Sequence, residues 1–176
     1  MKHLAALLAL FLSLPVQAEL KPGDIAPDFT AQAALAGKAF EFSLAAQRKQ
    51  GPVVLYFYPK SFTSGCTAEA HNFAEASDKF KALNATVVGI STDDIETQKK
   101  FSASECRNKF AVAADPDGRI AKSYDSLLFR TSGWSSRTSY VIAPDGKVIY
   151  TYTAMSPDKH VDNTLDALRK WSPAKP

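Results

Sequence analysis

One cysteine in the sequence stands where nucleophilic chemistry is favoured. Cys66 follows the apolar run Val53–Tyr58, then Pro59 and a polar loop, at the point where a helical pattern begins. Unpaired N–H groups at the start of a helix carry partial positive charge, which stabilises a thiolate, the reactive form of cysteine. Thr63, in the same loop, can place a hydroxyl beside the sulfur. The pattern predicts a nucleophilic thiolate at the end of a buried strand.

The hydrophobic patterns around this cysteine predict the elements that hold it. Val53–Tyr58 is a continuous β-branched and aromatic run, which is typical of a buried central strand. Apolar residues at helical spacing predict a helix over Thr67–Leu83. Thr86–Ser91 predicts a second buried strand, and an acidic pair after it favours a helix running to about Cys106. Cys66 should therefore lie at the carboxyl end of a strand, where open α/β sheets bind ligands.

The second half of the chain predicts a hairpin and a closing helix. Phe110–Ala114 is a short strand pattern, and Thr138–Ala143 and Lys147–Thr153 are strand patterns joined by a Pro-Asp-Gly turn. A proline-initiated helix is predicted from Ser156 to near Trp171. Strands and helices alternate in this way in α/β folds, so we expect a mixed β-sheet sandwiched by helices.

Length and composition limit the class of protein. The chain has 176 residues, of which 45% are hydrophobic, enough for one globular domain with a real core. Its net charge of +3 is dispersed, which argues against nucleic-acid binding. The two cysteines are too few for a disulfide scaffold or a four-cysteine zinc site, and no histidine or acidic spacing predicts a metal site.

The first 18 residues have the pattern of a secretory signal peptide. Lys2 precedes the apolar run Leu4–Leu14, and Val16-Gln17-Ala18 has the form of a cleavage site. This run is shorter than the roughly 18 residues needed to span a bilayer. We therefore predict cleavage after Ala18, no membrane attachment after cleavage, and a mature domain over residues 19–176. An exported chain of this kind is expected in a bacterial periplasm, where disulfides persist.

The loop around Cys66 resembles the peroxiredoxin family. The family motif is Pro, three residues, Thr or Ser, two residues and Cys, which Pro59, Thr63 and Cys66 satisfy. The surrounding sequence looks most like the peroxiredoxin Q, or bacterioferritin-comigratory-protein, branch. The matching segments are Pro59-Lys60, Gly65-Cys66-Thr67, Glu69-Ala70, Ala26-Pro27-Asp28-Phe29 and Arg137-Thr138-Ser139-Tyr140-Val141-Ile142. The resemblance implies a thioredoxin-like fold and reduction of peroxides by a thiol.

The resemblance also implies a role for each matching residue. Cys66 would be the peroxidatic cysteine, Thr63 would hydrogen-bond the sulfur and a peroxide oxygen, and Pro59 would shield the site from water. Arg137 would stabilise the thiolate and orient the substrate. From the residues alone, Cys66 could instead be a structural thiol, Pro59 a strand terminator, Thr63 a helix cap and Arg137 a solvated charge. Ser64 replaces a proline common in close relatives.

The same resemblance implies the partners of the reaction. The substrate would be hydrogen peroxide or a small organic hydroperoxide, and a thioredoxin-like dithiol protein would supply the electrons. The chemistry would use no metal and no organic cofactor. The protein would be a monomer or a homodimer.

Cys106 is the only second thiol in the sequence. Many peroxiredoxin Q proteins carry a resolving cysteine five residues after the peroxidatic one, but His71 occupies that position here. Some relatives place it in the following helix, which favours Cys106. If that helix runs from Asp94 to Cys106, its length places Cys106 roughly 18 Å from the edge that bears Cys66, whereas a disulfide needs Cα atoms within about 7 Å. Two roles for Cys106 therefore remain open. It is a resolving thiol, which requires local unfolding or a partner subunit, or it is an inert buried thiol.

Two other functions are possible on the same fold. A thiol–disulfide exchange protein usually has a second cysteine three residues after the first, but Glu69 stands there. A redox-inactive interaction domain would not need the peroxiredoxin motif. Among the remaining polar residues, we predict His71 and His160 to be surface histidines on helices. The spacing of the aspartates predicts a solvated helix face, comprising Asp158, Asp162 and Asp166.

Overall fold

A computed structural model describes residues 19–129 and 133–171 of the chain. The predicted signal peptide, residues 1–18, lies outside the described residues. Across the described ranges, no helix has the length and apolar character needed to cross a membrane. The elements in chain order are β1 (Thr30–Leu35), β2 (Lys38–Ser43), α1 (Leu44–Arg48), β3 (Val53–Phe57), α2 (Ser64–Glu75), α3 (Ser77–Ala82), β4 (Thr86–Ser91), α4 (Ile95–Ser104), β5 (Ala111–Ala114), α5 (Arg119–Ser123), β6 (Thr138–Ile142), β7 (Val148–Thr153) and α6 (His160–Lys170).

The strands form one mixed sheet with the order β2-β1-β5-β4-β3-β6-β7. The three strands β3, β4 and β5 run parallel, and every other neighbouring pair is antiparallel. All five residues of β3 are buried, as its continuous apolar run predicted. The hairpin β6–β7 turns through Gly146, whose φ of 91° places it in the left-handed region. The predicted mixed sheet is confirmed.

Helices cover both faces of the sheet. Val54 and Tyr56 of β3 point into a core layer that also contains residues of α2, α3, α4 and α6. The alternate residues Val53, Leu55 and Phe57 point into the opposite layer, with α1, α5 and the amino-terminal segment. Because successive side chains of a strand face opposite sides, one apolar strand serves both layers. The predicted sandwich of helices around the sheet is confirmed.

Several element boundaries differ from the prediction. The helix predicted over Thr67–Leu83 begins earlier, at Ser64, and is divided at Ala76 into α2 and α3. The helix predicted to reach Cys106 ends at Ser104, because the Cys106 N–H bonds back to the Phe101 carbonyl and the next residues, Arg107 and Asn108, have positive φ.

The last helix also starts later than predicted, at His160 rather than beside Pro157. The Ser156 hydroxyl donates to the Asp158 carboxylate at 2.8 Å instead of capping the helix. The hairpin of β1 and β2 was not predicted. In β2, Phe40 and Phe42 alternate with Glu41, but only Phe42 is buried, and this alternation is too short to indicate a half-buried strand.

Candidate active site

The sheet brings the cysteine loop and Arg137 to the same edge. The loop follows the carboxyl end of β3, and α2 begins after it. Strand β6 runs antiparallel to β3, and its first residue, Thr138, pairs with Phe57, the last residue of β3. Arg137 immediately precedes Thr138 and so lies beside the start of α2. Cys66 and Arg137 are 71 positions apart in sequence, and they meet because β3 and β6 form this antiparallel pair.

Cys66 occupies the first turn of α2. The helix begins at Ser64, and the N–H of Thr67 bonds to the Thr63 carbonyl. The N–H groups of Ser64, Gly65 and Cys66 thus precede the first intrahelical hydrogen bond and give this end of the helix its partial positive charge. Cys66 is only 1% exposed, and it belongs to the core layer that also contains the other buried apolar residues of α2.

The guanidinium of Arg137 reaches the sulfur and is fixed on its other sides. Its Nη2 donates to Cys66 Sγ at 3.4 Å, and its Nε donates to the Met155 carbonyl at 2.9 Å. Its Nη1 donates to Oε2 of Glu69, one helical turn after Cys66. Arg137 is 3% exposed, so it is not the solvated charge that its residue type alone would suggest. The cation that faces Cys66 is held by three hydrogen bonds, two to side chains of α2 and one to the backbone after β7.

Gly65 makes this close approach possible. A Cβ atom at this position would lie 3.1 Å from Nη2 of Arg137, tighter than ordinary van der Waals contact. The missing side chain lets the guanidinium lie against the helix backbone beside Cys66.

Thr63 and Pro59, the other two residues of the cysteine motif, differ in their exposure to solvent. Pro59 is buried, whereas Thr63 is exposed at the position before α2. The Thr63 hydroxyl donates to the Lys60 carbonyl at 3.0 Å rather than to the sulfur as predicted. Its oxygen keeps lone pairs that can accept a hydrogen bond.

A buried carboxylate holds the loop to the neighbouring strand. Asp93 follows β4 and accepts hydrogen bonds from the Ser61 N–H at 2.7 Å, the Ser91 hydroxyl at 2.8 Å and the Lys60 ammonium at 3.0 Å. Burial acts to raise the pKa of Asp93, but these hydrogen bonds outweigh it and hold the pKa below its usual value. The adjacent Phe62 has a φ of 64°, a strained backbone for an aromatic residue that this network holds in place.

Two acid–base residues behind Arg137 were not predicted as part of the site. Glu69 is completely buried, and burial raises its pKa to about 8 although the charge of Arg137 acts to lower it. His160 was predicted to lie on a helix surface, which is wrong because it is completely buried. Its Nδ1 lies 3.7 Å from Oε1 of Glu69. A charged residue one turn after a nucleophile was the available signal for Glu69, but no sequence pattern distinguished His160.

Cys106 lies in the turn that follows α4 and is buried in the same core layer as Cys66. No disulfide joins the two cysteines. Burial raises the pKa of the Cys106 thiol well above its ordinary value. Oε2 of the neighbouring Glu105 lies 2.8 Å from Nε2 of His71, the residue at the fifth position after Cys66.

The surface predictions on α6 and α2 have different outcomes. Asp158, Asp162 and Asp166 are exposed, as predicted for a solvated face. His71 is partly buried, because its ring pairs with Glu105. No group of three or more metal-ligating side chains occurs within residues 19–129 and 133–171.

Comparisons with known proteins agree with this fold and site. Residues 22–151 match the model of the AhpC/TSA family. The chain is 35% identical over 154 residues to the chloroplastic peroxiredoxin Q of Triticum aestivum, covering 86% of this chain and 68% of that protein. The crystal structure of peroxidoxin BcpB from Mycobacterium tuberculosis superposes with a TM-score of 0.78 at 32% identity, covering 86% of this chain and 97% of that one. The fold is shared with the PrxQ of Xylella fastidiosa, with a TM-score of 0.76 at 23% identity over 87% of this chain and 98% of that one.

A thioredoxin-like fold that holds a cysteine at a helix start against a buried guanidinium defines the class of thiol-dependent peroxidases. The chain belongs to the AhpC/TSA family, and its relatives place it with the peroxiredoxin Q and bacterioferritin-comigratory-protein group. It is therefore an oxidoreductase that reduces peroxides, which confirms the resemblance found in the sequence.

The contact of Gly65 with Arg137 yields a prediction. Replacing Gly65 with alanine should displace the guanidinium by a few tenths of an ångström, lowering kcat/KM for peroxide by about 3- to 10-fold. The free energy of unfolding should not fall, because alanine is the better helix former by about 1 kcal/mol. Peroxide consumption and urea unfolding would measure the two effects, with Ser64→Ala as the control in the same turn. Equal activity of both variants would contradict the prediction.

Proposed function

We propose that Cys66 is the peroxidatic nucleophile of this enzyme. Its thiolate attacks one oxygen of a hydroperoxide, so that an S–O bond forms while the O–O bond breaks. The sulfur is oxidised to a sulfenic acid and the peroxide is reduced. The departing hydroxide or alkoxide takes up a proton and leaves as water or an alcohol. The observation that carries this proposal is the 3.4 Å hydrogen bond from Arg137 to Cys66 Sγ in a site shielded from solvent.

The other residues of the site have roles in this step that follow from their positions. Arg137 stabilises the thiolate and the negative charge that develops on the departing oxygen. The Thr63 hydroxyl, whose hydrogen is held by the Lys60 carbonyl, accepts a hydrogen bond from the peroxide O–H. Buried Pro59 excludes water from the sulfur. The free N–H groups at the start of α2 add further stabilisation.

Ionisation of the thiol accounts for only part of the rate. An ordinary cysteine is roughly 3% thiolate at pH 7, so full ionisation gains about 30-fold, near 2 kcal/mol. Enzymes typically lower barriers by about 8 kcal/mol or more. Most of the acceleration must come from holding the two peroxide oxygens and stabilising charge on the one that leaves. We assign this larger part to Arg137, Thr63 and the helix N–H groups.

The substrate is hydrogen peroxide or a small organic hydroperoxide. The supporting observation is the 1% exposure of Cys66, which leaves the sulfur open only to a small or slender reactant. A thioredoxin-like dithiol protein supplies the electrons that return the enzyme to its thiol form. The family relationship supports this choice of reductant.

We further propose that Cys106 resolves the sulfenic acid by forming a disulfide with Cys66. The turn that carries Cys106 is fastened to α2 by the pair of His71 with Glu105, at 2.8 Å, and by that of Glu75 with Arg107, at 3.2 Å. His71 lies about 7.5 Å along the helix from Cys66. The turn must therefore open for the thiols to meet. A cycle that uses Cys66 alone, with the external thiol attacking directly, is the alternative.

The protein is proposed to act outside the cytoplasm. The support is the sequence of residues 1–18, with a basic residue, a short apolar run and a small-residue cleavage site. The mature protein would then act in a bacterial periplasm.

Substituting Arg137 tests how much of the rate acceleration comes from ionisation of the thiol and how much from stabilising the departing oxygen. In Arg137→Ala, kcat/KM for hydrogen peroxide should fall more than about 100-fold, because the departing oxygen loses its cation. The rate of Cys66 alkylation by iodoacetamide, which reports ionisation and exposure of the sulfur, should fall by no more than about 30-fold. Arg169→Ala, at an exposed arginine on α6, is the control and should leave both rates unchanged. If both rates fall equally in Arg137→Ala, the assignment is wrong.

Mass spectrometry tests the role of Cys106. After one equivalent of peroxide, the wild-type protein should contain a Cys66–Cys106 disulfide, whereas Cys106→Ser should retain a sulfenic acid that dimedone traps. Cys66→Ser should give neither product and should not consume peroxide. A trapped sulfenic acid without any disulfide in the wild type would establish the one-cysteine cycle instead.

Amino-terminal sequencing tests export. The protein recovered from the periplasmic fraction of a Gram-negative host should begin at Glu19, because cleavage is expected after Ala18. Replacing Ala18 with a bulky residue such as tyrosine should block processing. Wild-type protein that begins at Met1 in the cytoplasmic fraction would refute this prediction.

A further inference from the structure

A buried pair of acid–base groups lies behind the site and has no part in the reaction described so far. Glu69 and His160 are both completely buried; Glu69 is paired with the Arg137 guanidinium, and His160 Nδ1 lies 3.7 Å from Glu69 Oε1. Glu69 Oε2 accepts from Arg137, but Oε1 has no hydrogen-bond partner within the part of the chain that the structure describes. A buried oxygen without a partner is costly, so its surroundings require an explanation.

The hydrogen bonds of His160 determine which ring nitrogen carries its proton. Nε2 lies 2.9 Å from the Ala154 carbonyl, which can only accept, so Nε2 is the protonated nitrogen. Burial lowers the pKa of His160, and the charge of Arg137 lowers it further, which favours the neutral ring. In the neutral ring, Nδ1 is an acceptor, and the Ser139 hydroxyl donates a hydrogen bond to it at 2.8 Å.

An acceptor of His160 therefore faces an oxygen of Glu69. Nδ1 and Oε1 are 3.7 Å apart with both groups buried. If Glu69 were ionised, two acceptors would face each other across this gap without a proton between them. A proton on Oε1 or on Nδ1 removes this opposition of two acceptors, although 3.7 Å is longer than a hydrogen bond. The geometry therefore favours one proton on this pair of groups, carried by Glu69 or by His160.

The net charge of the buried cluster leads to the same conclusion. Arg137 contributes one positive charge and the Cys66 thiolate one negative charge. An ionised Glu69 beside a neutral His160 would add a second negative charge that shares the single Arg137 cation with the thiolate. The buried cluster would then carry a net charge of −1, which is unfavourable away from water. With one proton on the pair, the cluster is neutral when Cys66 is a thiolate. The other titratable groups around the pair are Tyr56 of β3 and Tyr152 of β7, whose ring centroid is 4.8 Å from that of His160.

We propose that one proton carried by Glu69 or His160 keeps the charge of Arg137 available to the Cys66 thiolate, so that peroxidase activity falls when this proton is lost at alkaline pH. The inference rests on the proposed roles of Cys66 and Arg137. Glu69 and His160 are positioning residues, which touch no reacting atom and act through the guanidinium. Once the proton is lost, the carboxylate competes with the thiolate for the same cation.

The pH dependence of kcat/KM for hydrogen peroxide tests the proposal. Because burial raises the pKa of Glu69 to about 8, the wild-type rate should fall by roughly tenfold between pH 7 and pH 9 if only the protonated form is active. Glu69→Gln keeps the shape of the side chain and cannot ionise, so its ratio of the rate at pH 9 to that at pH 7 should be near one. Glu96→Gln, at an exposed glutamate on α4, should keep the alkaline decline of the wild type.

Spectroscopy on the wild-type protein gives a test that does not depend on the folding of a variant. At pH 7, infrared spectra should show a protonated carboxyl that is absent from Glu69→Gln, or ¹⁵N NMR should show a His160 ring with protons on both nitrogens. Either signal should disappear by about pH 9.5. If neither signal is present at pH 7, or if Glu69→Gln keeps the alkaline decline, the proposal is wrong. Loss of peroxidase activity in Cys66→Ser would still support the function proposed above, so the two failures can be told apart.

Discussion

The burial of one guanidinium is the constraint on which this site depends. A cation removed from water is stable only where hydrogen-bond acceptors and negative charge surround it. Arg137 finds a carboxyl oxygen on α2, a backbone carbonyl after β7 and the sulfur of Cys66. The cysteine is thus one of the groups that satisfy the arginine, as much as the arginine is a group that activates the cysteine. Under the proposed role of Cys66, this mutual dependence lets a thiol be almost completely covered and still act as the nucleophile.

The surrounding elements keep this arrangement rigid. The antiparallel pair of β3 with β6 fixes where Arg137 emerges, and the first turn of α2 fixes the sulfur. Asp93 fastens the loop between them to β4 through the Ser61 backbone. Arg137 and Cys66 therefore reach the site from two different elements, and only short segments separate each residue from the element that fixes it. Precision of this kind is required for a reaction whose barrier is lowered mainly by orientation and charge.

Sequence patterns were sufficient for most of the frame of the molecule and for the elements that bring Cys66 and Arg137 together. The run Val53–Tyr58 was predicted as a buried strand because all its side chains are apolar, and Cys66 could be placed at a helix start because the helical pattern begins there. The depth of single side chains was harder to predict. His160 is polar and belongs to an amphipathic helix, so that its burial depends on the packing of α6 against β6, which no local pattern encodes. The Thr63 hydroxyl was misplaced for a similar reason, because the nearby Lys60 carbonyl competes for its proton.

The position of His160 at the first residue of α6 affects how the enzyme matures. Within the described residues, α6 is the last element along the chain, so it is synthesised after the cysteine loop, α2 and β6. Until it packs against β6, Glu69 lacks the imidazole that faces it. The set of buried side chains around Arg137 is therefore complete only once α6 is in place.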